Sequence, residues 1–138
     1  MLPDGNYLGI GTRLPSGSSY SDIYLFKLDH NNINNMIWSQ NFGGRIGNDL
    51  GKSVQLTSDS NFAIGGTHQN PDNSSNSYLI KTDNSGNILF SKFYGETSKL
   101  NTSNLIQTTD NGFVIAGTNN VKGYEVITLI KVGPDGKL

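Results

Sequence analysis

The sequence predicts an all-β chain of repeated four-stranded antiparallel sheets, and three observations predict it. One pattern occurs three times, as Asp4-Gly5-Asn6-Tyr7-Leu8-Gly9-Ile10-Gly11-Thr12, Asp59-Ser60-Asn61-Phe62-Ala63-Ile64-Gly65-Gly66-Thr67 and Asp110-Asn111-Gly112-Phe113-Val114-Ile115-Ala116-Gly117-Thr118. A second run follows each copy: Tyr24-Leu25-Phe26-Lys27-Leu28-Asp29, Tyr78-Leu79-Ile80-Lys81-Thr82-Asp83 and Thr128-Leu129-Ile130-Lys131-Val132-Gly133. The residues between them are mostly Asn, Ser, Thr, Gly and Asp, which disfavour helix interiors and favour turns. A period of about fifty residues is that of a repeated supersecondary unit.

Four strands can be assigned to each unit. Strand b (residues 62–66 and counterparts) is rich in aromatic and β-branched residues and bounded by turn formers. In Phe113-Val114-Ile115-Ala116-Gly117 it is apolar on both faces, as in a strand sandwiched between neighbouring sheets. Strand c (78–82) carries Lys27, Lys81 and Lys131 at one register, and strand d (89–93) carries Trp38 and Phe90. Strand a (53–56) aligns with Asn104-Leu105-Ile106-Gln107, with Gln55 set against Gln107 and the a–b turns differing by one residue. The a–b connections (58–61, 109–112) and the c–d connection (83–87) have tight-turn chemistry, so both are hairpins. The chain reads b-c, d-a-b-c, d-a-b-c: one domain, 1–138, with copies at 1–34, 35–87 and 88–138. No helix longer than one turn is expected. Phe62, Ile64, Leu79, Ile80, Phe90, Phe113, Ile115, Leu129 and Ile130 are expected to be mostly buried, with the middle copy better covered than the first.

Stacked four-stranded antiparallel sheets of this size are blades of a β-propeller. The segments Thr108–Thr118 and Tyr78–Ile88 resemble the SBBP-type β-propeller repeats of bacterial and archaeal proteins, and the resemblance spans nearly the whole chain. It implies a secreted or cell-surface parent protein. About two and a half blades fall short of the four to eight of a closed propeller, so an incomplete propeller is expected, completed by further blades in the same chain or by a homo-oligomer.

Composition narrows the function. With 10 Lys+Arg against 11 Asp+Glu the net charge is −1, which gives no electrostatic footprint for nucleic acid or an anionic membrane. No apolar run approaches the length of a membrane-spanning helix, so no membrane insertion is expected, and the first residues lack the pattern of a signal peptide. The absence of cysteine rules out disulfides, thiolate metal sites and a thiol nucleophile.

The individual motifs have plain structural readings. His30 and His68 stand in no metal-ligand spacing and read as loop or surface residues. Asp83-Asn84-Ser85-Gly86-Asn87 echoes the start of a calcium loop but lacks the downstream Glu and sits where a hairpin turns; Asp29-His30-Asn31-Asn32 shares that position. The three strand-c lysines are either a partial ring of positive charge or side chains whose stems pack while their ammonium groups reach water. Trp38 and Phe90 read as packing between blades. Gly43-Gly44-Arg45-Ile46-Gly47 lacks the ending of a phosphate loop. The sequons at Asn73 and Asn101 are what chance gives in a chain rich in Asn and Ser.

The expected site lies on one face of the blades. The b–c connections (13–23, 68–77, 119–127) and d–a connections (44–52, 96–103) are long and dissimilar, and loops on a rigid scaffold are where binding usually resides. Arg13, Arg45, Asp49, His68, Asp72, Glu96 and Lys99 are the candidate ligand or partner contacts there. No catalytic set, metal site or cofactor is expected. The function expected is non-enzymatic binding of a protein or glycan, or scaffolding; the alternative is part of a carbohydrate-active propeller enzyme.

Overall fold

A computed structural model describes residues 1–44, 46–95 and 99–138. Among these, every regular element is a strand: β1 (Tyr7–Arg13), β2 (Asp22–Leu28), β3 (Met36–Phe42), β4 (Asn48–Leu56), β5 (Phe62–Gln69), β6 (Ser75–Thr82), β7 (Ile88–Tyr94), β8 (Asn101–Gln107), β9 (Phe113–Val121) and β10 (Tyr124–Val132). They form three antiparallel sheets, β1-β2-β3, β4-β5-β6-β7 and β8-β9-β10. The strand types are therefore b-c-d, a-b-c-d and a-b-c, in the order the motifs give. Hydrogen bonding joins each strand d to the c before it, so the sheets span 7–42, 48–94 and 101–132 and run out of phase with the sequence copies.

The turns follow from local hydrogen bonding. In the c–d turn the Asp83 carboxylate accepts from the N–H groups of Ser85 and Asn87 and from the Asn87 amide, so its oxygens serve the hairpin. In the a–b turns Gly5, Ser60 and Asn111 occupy one position, with φ of 85°, 61° and 61°. Glycine meets that left-handed requirement without strain, and Ser60 and Asn111 meet it at a cost. Thr57 and Thr108 each donate their N–H across the turn, to Asn61 and Gly112, so the two a–b turns are equal in length. Leu56, paired with Phe62, is thus the counterpart of Gln107, paired with Phe113, and the alignment of Gln55 with Gln107 is off by one residue.

Several strands extend into the segments assigned to long loops. β4 begins at Asn48, β5 continues to Gln69, and the third b–c connection shrinks to Lys122-Gly123. Both of those residues have positive φ, 53° and 87°, the geometry of a type I′ hairpin, whose twist matches that of the flanking strands. The expected contrast between long and short connections therefore fails in the third copy.

Each strand a contains a bulge: the β4–β5 register shifts between Gly51 and Ser53, and the β8–β9 register between Thr102 and Asn104. The bulge turns an N–H out of its own ladder toward the preceding sheet. Gly51 N–H donates to Thr12 Oγ1 at 3.2 Å and Thr102 N–H to Thr67 Oγ1 at 2.9 Å, so the same contact recurs at both sheet-to-sheet junctions.

Two apolar clusters fill those junctions. Ile23, Leu25 and Phe42 meet Phe62, Ile64, Tyr78 and Ile80 at the first; Ala63, Leu79 and Tyr94 meet Leu105, Phe113 and Ile115 at the second. β5 is buried along nearly its whole length, whereas β1 is only partly covered. Three expectations of burial need correction. Phe90 and Ile130 are half-buried, and Leu129 is 68% exposed because the face it shares with Ile127 has no sheet packed on it.

Candidate functional site

Registered pairing brings two of the candidate residues together. Asp49 on β4 lies opposite His68 on β5. Both are buried, at 2% and 4% exposure, so His68 is no loop or surface histidine. Its Nδ1 is 2.9 Å from Asp49 Oδ1 and its Nε2 is 3.1 Å from Asn70 Oδ1. The Asn70 amide donates to Ser74 Oγ at 2.9 Å and to Asn76 Oδ1 at 3.0 Å, and the Asn76 amide donates to Gly95 O. That chain of contacts fixes which end of Asn70 faces the ring. Phe93 covers it edge-on at 5.4 Å and stacks in turn on Tyr78 at 4.1 Å. With both nitrogens engaged and buried, His68 serves as a brace between strands. Asp49 N–H also donates to Ser21 O at 2.7 Å, which ties the brace to the first sheet.

A cleft of about 360 Å³ opens beside this brace, between the second and third sheets. Its walls are Asn48, Gln69, Asn70, Pro71, Asn73, Ser74, Ser75, Lys99 and Asn101. Ser75 and Lys99 form a parallel bridge, Leu100 N–H donates to Ser75 O at 3.0 Å, and Ser77 and Thr102 hydroxyls bond below, so backbone from both sheets floors the cleft. The lining combines amides, which donate and accept, with hydroxyls and one ammonium. Asp72 sits at the tip of the 70–74 turn, where the Ser74 hydroxyl and N–H hold its carboxyl below the usual range.

Of the remaining candidates, Lys99 is exposed and lines the cleft. Arg13 is apart, at the end of β1, with its guanidinium 5.2 Å from the Tyr24 ring centre. Arg45 and Glu96 lie outside the described residues. Asn48, Gln69, Asn70, Ser74, Ser75 and Asn101 line the cleft without carrying charge and are not among the sequence candidates; the abundance of Asn and Ser in 68–77 is their signal in the sequence. Among the described residues no three His, Cys, Asp or Glu side chains converge as a metal site requires.

The strand-c lysines each pair with the aspartate of their own a–b turn: Lys27 with Asp4 at 2.6 Å, Lys81 with Asp59 at 2.6 Å and Lys131 with Asp110 at 2.9 Å. Both partners recur at fixed positions of the repeated motifs, and the turn and the strand bring them together. The Lys27 ammonium, helped by Asn6, holds the Asp4 carboxyl down at about 2. Lys81 and then Thr57 lower Asp59, and Thr108 and then Lys131 lower Asp110.

No protein-family model matches the chain, and no curated protein matches it.

Proposed function

We propose that this chain is a non-enzymatic binding module whose three sheets are blades of an incomplete β-propeller of the SBBP-like type. Its parent is a larger secreted or cell-surface protein, in which further blades or a second copy complete the array. The reading is supported by the recurrent junctions, in which one sheet docks on the next through the same Thr-to-backbone contact.

The observation that carries binding is the 360 Å³ cleft lined by amide and hydroxyl side chains on a braced floor. Amides that both donate and accept match the vicinal hydroxyls of a saccharide, and Lys99 supplies a cation for a carboxylate. The ligand class is therefore a glycan bearing uronate-type carboxylates. Isothermal titration of the whole chain with an oligogalacturonate and with its neutral methyl ester tests this. The acidic oligomer binds, and Lys99→Ala weakens it by about tenfold, or 1.4 kcal/mol. Absence of binding by either oligomer, or turnover of the oligomer in place of binding, overturns the reading.

A further inference from the structure

The opposite ends of the sheets carry a second, larger cleft, of about 490 Å³, between the first and second sheets. Trp38 of β3 and Leu56 of β4 give it apolar walls, and Asp4, Lys27, Asn84 and Ser85 bring polar groups to it. It differs from the amide cleft in having an aromatic wall.

Trp38 is the single tryptophan of the chain. It is half-buried, and its ring centre stands 6.1 Å from that of Phe62. Gly86 of the second sheet's c–d turn comes close to it: a Cβ there would lie 2.8 Å from Gln40 and 3.4 Å from the indole. Phe90 receives Gly136 in the same way at the next junction. A phenyl ring therefore suffices for docking the glycine turn, and the indole adds area and an N–H donor at this junction alone. That N–H makes no hydrogen bond to a described residue. Beside it on the same sheet, Lys27 of β2 is the cross-strand partner of Trp38, and Lys27 and Asp4 hold each other at 2.6 Å, a fixed donor and acceptor next to the indole.

From this juxtaposition we infer that the cleft is a second carbohydrate site, for a neutral hexopyranose. A pyranose has an apolar C–H face and a rim of hydroxyls. Its C–H groups suit the electron-rich face of an indole, and its hydroxyls match the Asp4 carboxylate, the Lys27 ammonium and the Asn84 amide. The site is independent of the amide cleft and of any ligand there.

The sole tryptophan reports on it directly. Titrating the whole chain with glucose, galactose and N-acetylglucosamine, with glycerol as the control, should give a saturable change in indole emission for at least one sugar and none for glycerol. Asn84→Ala and Asp4→Asn each reduce that affinity at least fivefold, whereas Lys99→Ala leaves it unchanged, which separates this site from the amide cleft. Asn84 is an exposed turn residue, so its variant keeps the test valid should Asp4→Asn disturb the ion pair. The inference is overturned if no sugar gives a saturable change up to about 10 mM, a Kd already weaker than −4.1 kcal/mol, or if both cleft variants bind as the parent does.

Discussion

The second and third sheets are written in the same motifs and meet water very differently. Leu79 and Leu129 occupy one register position of strand c, opposite Gly65 and Ala116. Leu79 is fully buried and Leu129 is 68% exposed. One position of strand b shows the complementary gradient: Tyr7 is 43% exposed, while Phe62 and Phe113 are buried. Each sheet buries the face that meets a neighbour and exposes the one that does not. Burial in this chain belongs to the junction between sheets and is set by what packs on a strand, more than by the strand's own residues.

Paired substitutions test that comparison. The largest effect is expected from Phe113→Ala, which opens a cavity at the second junction and costs about 3–5 kcal/mol in urea unfolding; Tyr7→Ala costs far less. Leu79→Ala is next, at about 2–5 kcal/mol, against a change within about 0.5 kcal/mol for Leu129→Ala. Equal losses at the two leucines would mean that the third sheet's outer face is covered in solution, and analytical ultracentrifugation of the same samples would show the association. Thr67→Ala leaves the Thr102 N–H without its buried acceptor and costs about 1–3 kcal/mol, whereas Thr118→Ala, half-buried at the same register, is close to neutral.

The smallest effect is electrostatic and common to all three sheets. Asp4, Asp59 and Asp110 are held below their usual value by their lysine and turn partners. Carboxylates depressed in the folded state stabilise it above the unfolded value and lose that contribution on protonation. The melting temperature should therefore stay level from neutral pH down to near 3.8 and fall as the pH drops toward about 2. Asp4→Asn, Asp59→Asn and Asp110→Asn together should flatten that fall. A decline beginning between pH 7 and pH 5 would assign it to other groups.

Much of this architecture was legible in the sequence because its signals are local. Turn residues such as Asp83 and Gly86, and runs such as Phe113–Gly117, mark strands and their order. Three things were not legible. The strand ends are one, since Asn48, Gln69 and Asn119 have poor β-propensity and are held in strands by their pairing partners. The Asp49–His68 brace depends on cross-strand register, which the bulge at Gly51 shifts by one residue; no spacing in the sequence reveals that. The exposure of Leu129 depends on a neighbour its own motif cannot report. Of the seven candidate residues, Asp49 and His68 proved to be a buried brace and Lys99 a cleft wall, because a search for loop charges finds ionisable groups regardless of whether they face water.

The recurrent bulge of strand a sets a pitch. An N–H turned out of its ladder and received by a threonine one sheet back fixes how high and how far round each sheet sits on the one before it. Because the donor comes from the backbone and the acceptor from the Thr that ends each b motif, the rule is carried within every unit and is indifferent to how many units there are. A tandem duplication of this segment would arrive already indexed to its neighbour, so the array can lengthen without redesigning any junction.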